Sequence, residues 1–195
     1  MLTAFFLMAV TADGGWELAR DDGRNVIERR RQSDGLMELR ASTTTDLAPA
    51  TVATAFWNRR VASVKAIKKY EIISQTDVEK VLYQQVKMPI VKDRDWTVRI
   101  TRYADPANEL YQFFSRCDSS AGPAENDDHV RVMRCHSEVT IEGIEGGRTR
   151  VSYITFADPA GKIPHWIVNM LAPKAAAAFL DKLLEESRGF VAATP

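Results

Sequence analysis

The sequence predicts an α+β fold, a strongly curved antiparallel sheet wrapped around one long C-terminal helix. Three observations carry this. Strand-like runs cluster through the middle of the chain, apart from the helical segments. Within them, Trp96-Thr97-Val98-Arg99-Ile100-Thr101 alternates apolar and polar residues, the mark of a sheet with one dry side. The last such run is followed by a helical segment over 164–187 with an apolar stripe of its own. Packing the sheet against that helix satisfies both dry faces.

The elements follow in order. Residues 16–18 open the domain as a short helix or an extended lead-in. Residues 26–31 and 36–45 read as strands parted by a turn at Ser33-Asp34-Gly35. Pro49 suits a first helical turn, with Val52, Ala55 and Phe56 at i, i+3 and i+4. Val61, Val64 and Ile67 continue as a second short helix. Strands are expected over 70–74 and 79–87, and then over 95–103, 109–117, 130–142 and 148–156. Asp105-Pro106, Gly122-Pro123 and Gly146-Gly147 punctuate the later four. In the terminal helix Trp166, Met170, Ala177, Leu180 and Leu184 recur near a 3.6-residue period, and Ile167, Leu171 and Leu183 widen the stripe. Pro173 should kink it, because the proline ring clashes with the preceding turn.

Composition narrows the function. A chain of 195 residues fits one domain with a sizeable core. Twenty-six basic and twenty-six acidic residues cancel, which argues against a nucleic-acid partner. Arg29, Arg30 and Arg31 form a local exception, read as a solvated strand end. Two cysteines, Cys117 and Cys135, lack zinc spacing; on neighbouring strands they form a bridge only if the register sets them opposite. MLTAFFLMAV followed by Thr11-Ala12 reads as a short signal peptide over 1–12, leaving 13–195 as the domain and implying a periplasmic or secreted protein. The alternatives are a start codon placed too late or an N-terminal helix packed on the domain, and a cytoplasmic protein. Ten apolar residues are too few to span a bilayer, which needs about 20.

No catalytic or metal constellation stands out. His129, His136 and His165 have no ligand spacing, so no metal or cofactor is expected. Arg94 and Asp95 are adjacent on a strand and face opposite ways, as do His136 and Ser137. Arg94-Asp95 is therefore read as structural, with Asp93 or Asp95 tying down the connection after Pro89.

Several motifs resemble the START family, the domains related to steroidogenic acute regulatory protein. They are Met88-Pro89 followed by Asp93-Arg94-Asp95-Trp96; Val130-Arg131-Val132; and Thr149-Arg150-Val151-Ser152-Tyr153 leading into Asp158-Pro159-Ala160-Gly161-Lys162-Ile163-Pro164-His165-Trp166. They fall in the family's order over about residues 16–187. The resemblance implies a helix-grip fold with a lipid-sized apolar cavity between sheet and helix. It also implies binding, and transfer, of a lipid or other hydrophobic small molecule by a monomer that is not an enzyme, with transient membrane contact. Its expected lining is Trp96, Val98, Ile100, Tyr111, Phe113 and Met133, with Trp166, Met170 and Leu171 from the helix. Tyr83, Tyr111 and Tyr153 are expected to offer hydroxyls to a head group. Ile100 stands where steroid-binding members carry a buried arginine, removing that polar anchor. Residues 157–164, with Gly161, form the expected hinge for ligand entry. A polyketide cyclase or aromatase of the same superfamily is the enzymatic alternative, and a ligand-sensing module the third.

Overall fold

Alternating β-branched and small residues set the central strand of the fold. In Met37–Thr45 (β3), Leu39, Ala41 and Thr43 turn to one side and are buried. In the computed structural model, which describes residues 15–58, 67–88 and 91–192, this strand lies between two others. On one side are Val26–Arg31 (β2) and Glu17–Asp21 (β1), so the lead-in at 16–18 is extended. On the other is Arg148–Asp158 (β10). The sheet continues through Arg134–Ile144 (β9), Leu110–Cys117 (β7), Asp93–Asp105 (β6) and Glu79–Val86 (β5) to Ile67–Gln75 (β4) at the far edge. Neighbours along this path are antiparallel, as expected. Ile67 starts β4 rather than ending a helix; Val61 and Val64 lie outside the described residues.

Two helices pack on the concave side. Pro49–Asn58 (α1) buries Val52, Ala53, Ala55 and Trp57. His165–Ala192 (α2) runs longer than expected and keeps Pro173 in its interior. Its C-terminal half and α1 fill the core against β2, β3, β7, β9 and β10. There Ala176, Ala177, Leu180, Leu183 and Leu184 meet Ile27, Leu39, Ala41, Val139, Ile141 and Val151.

In the C-terminal half of α2 the buried stripe holds the expected Ala177, Leu180, Leu183 and Leu184, together with Ala176 and Ser187. In the first half it differs from the expected one, and half-buried Asn169 and Ala172 take the inward side. Asn169 anchors the first half of the helix: its Oδ1 accepts from the Met37 amide at 3.1 Å and its Nδ2 donates to the Gly35 carbonyl at 3.0 Å. Large apolar residues therefore point away, with Trp166 66 %, Met170 61 % and Leu171 53 % exposed. Close approach to the β2–β3 turn selects small and polar side chains there, and a count of hydrophobic residues misses them.

The run expected as one strand over 130–142 is two. His129–Arg131 (β8) pairs parallel with the start of β6, and β9 pairs antiparallel with β7. The break falls where the Val132 amide turns away to donate to the Asp95 carbonyl at 2.9 Å. Residues 118–132 thereby cover the outer face of β6. Asp118 and its amide bond to Arg99 and the Thr97 carbonyl, and Gly122 sits so close to Thr97 that a Cβ would fall 1.8 Å from its Oγ1. Here the sheet has two dry sides, with Val81, Tyr83, Asp95 and Thr97 all buried on the side expected to be wet. The register also sets Cys117 opposite Cys135. They form a disulfide with a Cα–Cα separation of 5.1 Å.

Candidate ligand-binding site

Alternation assigns each strand residue of the far half of the sheet to one of two faces. On β6, Arg94, Trp96, Val98 and Ile100 point to the concave side, and Asp95, Thr97 and Arg99 to the other. On β5 the concave residues are Lys80, Leu82, Gln84 and Val86. The solid core ends before it reaches these strands. Between them and α2 lies a cavity of about 660 Å³.

α2 forms its roof with Ala175, Ala178, Phe179 and Lys182, one step around the helix from the core stripe. Two alanines among these four leave the space unfilled. Phe56 and Trp57 close the α1 end. Val139, Ser115, Ser137 and Cys135 line the middle of the sheet, and Tyr153 stacks on Phe179 with ring centroids 4.0 Å apart. The volume falls within the range of about 300–1,000 Å³ common to small-molecule sites, and the wall is predominantly apolar.

Most polar groups on the wall bond to protein. Trp96 Nε1 donates to Gln84 Oε1 at 2.9 Å, and the Ser115 and Ser137 hydroxyls share a hydrogen bond of 2.6 Å. Arg94 gives Nε to the Pro159 carbonyl, Nη2 to the Ala160 carbonyl and Nη1 to the Lys92 carbonyl. It thus ties the loop before α2 to the sheet at one end of the cavity. Gly161, at φ 69°, lies against that guanidinium, where a Cβ would come within 3.1 Å. Lys182 pairs with Glu185 at 3.0 Å.

Of the residues expected to line a site, Trp96, Val98, Ile100 and Tyr153 are on the wall. Tyr83 is on the opposite face of β5, where its hydroxyl donates to Asp95 Oδ2 at 2.9 Å instead of meeting a guest. Phe113 is fully enclosed in the core, stacked near Trp57 and Phe56, and Tyr111 packs beside it. Met133, 53 % exposed, sits in the break between β8 and β9. Trp166, Met170 and Leu171 project from the half of α2 that Asn169 orients. Sequence reasoning missed Lys80, Gln84, Phe56, Trp57 and Phe179. No alternation marked the first two, because Val81 and Tyr83 on the opposite face of β5 are buried as well.

Arg94 and Asp95 do face opposite ways. Arg131 binds Asp95 through Nε and Nη2 at 2.9 and 2.8 Å, a buried bidentate pair that also accepts Tyr83. Burial alone would push the Asp95 carboxyl up, but Arg131 and Tyr83 outweigh it and hold it below its ordinary value. Asp93 takes the other expected role, accepting the Met88 amide at 3.0 Å and pairing with Lys68. Among the described residues no group of three or more His, Cys, Asp or Glu is placed to hold a metal ion.

The fold and cavity define a class: a helix-grip protein with an apolar chamber between a curved sheet and its closing helix. The START domain family model matches residues 1–191, and the chain belongs to that family of domains for lipids and other hydrophobic ligands. It is 25 % identical over 119 residues to mouse phosphatidylcholine transfer protein, a match covering 60 % of this chain and 56 % of that protein. Among solved structures, a STAR-related lipid transfer protein fragment from Xanthomonas axonopodis is similar with a TM-score of 0.79 and 21 % identity. The match covers 90 % of this chain and 99 % of that one. Human STARD10 follows the same fold at a TM-score of 0.77 and 17 % identity, over 89 % of this chain and 73 % of that one.

Proposed function

We propose that this protein holds one lipid-like molecule in the chamber beneath α2 and carries it between membranes or to a partner. The observation that carries this is the unfilled apolar space of about 660 Å³ walled by Trp96, Val98, Ile100, Tyr153 and Phe179. Burying a dozen methylenes there contributes about 10 kcal/mol gross at ~0.8 kcal/mol each. About 3–5 kcal/mol go to ordering the guest, so burial alone leaves about 5–7 kcal/mol, a dissociation constant of about 10–200 μM that further contacts tighten. A carrier is favoured over a catalyst because the wall's polar groups are taken up in structural bonds, Trp96 with Gln84, Ser115 with Ser137 and Arg94 with backbone carbonyls, and none of these pairs a nucleophile with a base. The Cys117–Cys135 disulfide favours an oxidising compartment, consistent with export.

Native mass spectrometry of the purified protein, followed by organic extraction, tests the reading. The expected result is one lipid-mass adduct per chain and transfer of labelled phosphatidylcholine or another labelled lipid between liposomes. A protein that carries no adduct, takes up no offered lipid and speeds no transfer contradicts it.

A further inference from the structure

Lys80 sets a cation into the chamber wall. It is 4 % exposed and lies opposite Ile100 across the β5–β6 ladder. Its ammonium donates to the Trp57 carbonyl at 2.5 Å, in the last turn of α1, and sits 4.6 Å from the centre of the Trp57 ring. Arg102, one step further along the same face of β6, lies 4.5 Å from that ring. Two cations thus share one indole.

The helix end and the ring explain part of this. A cation suits a helix C-terminus, and the ring quadrupole attracts it. Yet an ammonium has three donors, and among the described residues Lys80 makes one hydrogen bond and no ion pair. The other charged groups on the wall are spent. Arg94 is bound to three carbonyls, Lys182 to Glu185, and the His136 ring nitrogen to Glu38. Leaving buried donors unmet is costly, and a carboxylate would have been the ordinary partner. Burial, followed by the Arg102 charge, pulls the Lys80 ammonium below its ordinary value. That is the sign expected of a cation awaiting its counter-charge.

We propose that Lys80 is the anchor for an anionic oxygen head group, carboxylate or phosphate, of an amphiphile whose apolar chain lies along Leu82, Val98 and Ile100. This rests on the chamber being a lipid site. The guest supplies the missing acceptor, and the Trp57 carbonyl and ring hold the ammonium in place for it.

The test is displacement of neutral N-phenyl-naphthylamine by hexadecanoate, hexadecyl phosphate and hexadecanol, on the wild type and on Lys80→Met. The expected result is that one or both anions bind about ten- to a hundredfold tighter than the alcohol on the wild type. Lys80→Met, which keeps the stem's bulk, should level the three while retaining the alcohol. The ranking of the two anions identifies the head group. Equal binding of alcohol and anions on the wild type overturns the proposal and leaves the carrier reading standing, whether or not the variant folds. A preference that survives in a folded Lys80→Met overturns the role of this residue. Failure of all three amphiphiles to displace the probe from the wild type overturns both readings.

Discussion

Asp95 meets two opposing demands. Its carboxylate is buried, which disfavours charge, and it receives two bonds from Arg131 and one from Tyr83, which favour it. The second set prevails, so its folded value lies below the ordinary 3.8. A carboxylate depressed in the folded state contributes stability that is complete above its unfolded value and lost as pH falls through the folded one. Urea midpoints are therefore expected to hold down to roughly pH 5 and to fall progressively below roughly pH 4. Arg131→Met strands the carboxylate and should cost about 3–5 kcal/mol at neutral pH, read from urea unfolding. A loss under about 1 kcal/mol would show that the pair does not hold β8 and residues 118–132 on the sheet. Lys80 is the mirror case, a buried cation whose counter-charge the described residues do not supply.

At the scale of elements, the loop between β10 and α2 is the expected hinge for ligand entry. Arg94 fastens it through the carbonyls of Pro159 and Ala160, and Ala160 and Gly161 both adopt positive φ. Arg94→Lys keeps the charge but cannot reproduce the planar, multi-donor fit. Lipid release measured by stopped flow is expected to speed up about tenfold or more, with a smaller change in equilibrium affinity. An unchanged release rate would place the entrance elsewhere.

The same elements show what the amino-acid pattern could reveal. Clean alternation in 96–101 assigned Trp96, Val98 and Ile100 to the concave face, because period 2 is local. The partner change at Val132 was hidden, since a strand-like composition is silent on which neighbour it pairs with. Tyr83 was misplaced because residues 118–132 make the outer face dry as well, and burial on both faces gives no alternation to read. α2 was legible in its C-terminal half, where Ala177, Leu180, Leu183 and Leu184 do face the core, but the inward side of its first half is built from Asn169 and Ala172, chosen for close approach and hydrogen bonding. Trp166, Met170 and Leu171 outweighed them on hydrophobicity alone.

Across the whole molecule, sheet and helices make two unlike contacts. Under β2, β3, β9 and β10 they meet in a solid core; under β5 and β6 they stay apart. α2 serves both, with Leu180, Leu183 and Leu184 packed on one side and Ala175 and Ala178 bordering the chamber on the other. Tightly packed proteins rarely leave such a void, and its lining forgoes dispersion contacts that a guest would restore. A bound lipid is therefore expected to raise the melting temperature in a concentration-dependent way.

The most direct measurement is lipid binding by Ala178→Trp, which fills the chamber from the roof without touching the core stripe. Compared with wild type by labelled-lipid titration, it is expected to lose at least about tenfold in affinity while its melting temperature holds or rises. Undiminished affinity in a folded Ala178→Trp protein would contradict the account, because the guest would then be bound somewhere other than between the sheet and α2.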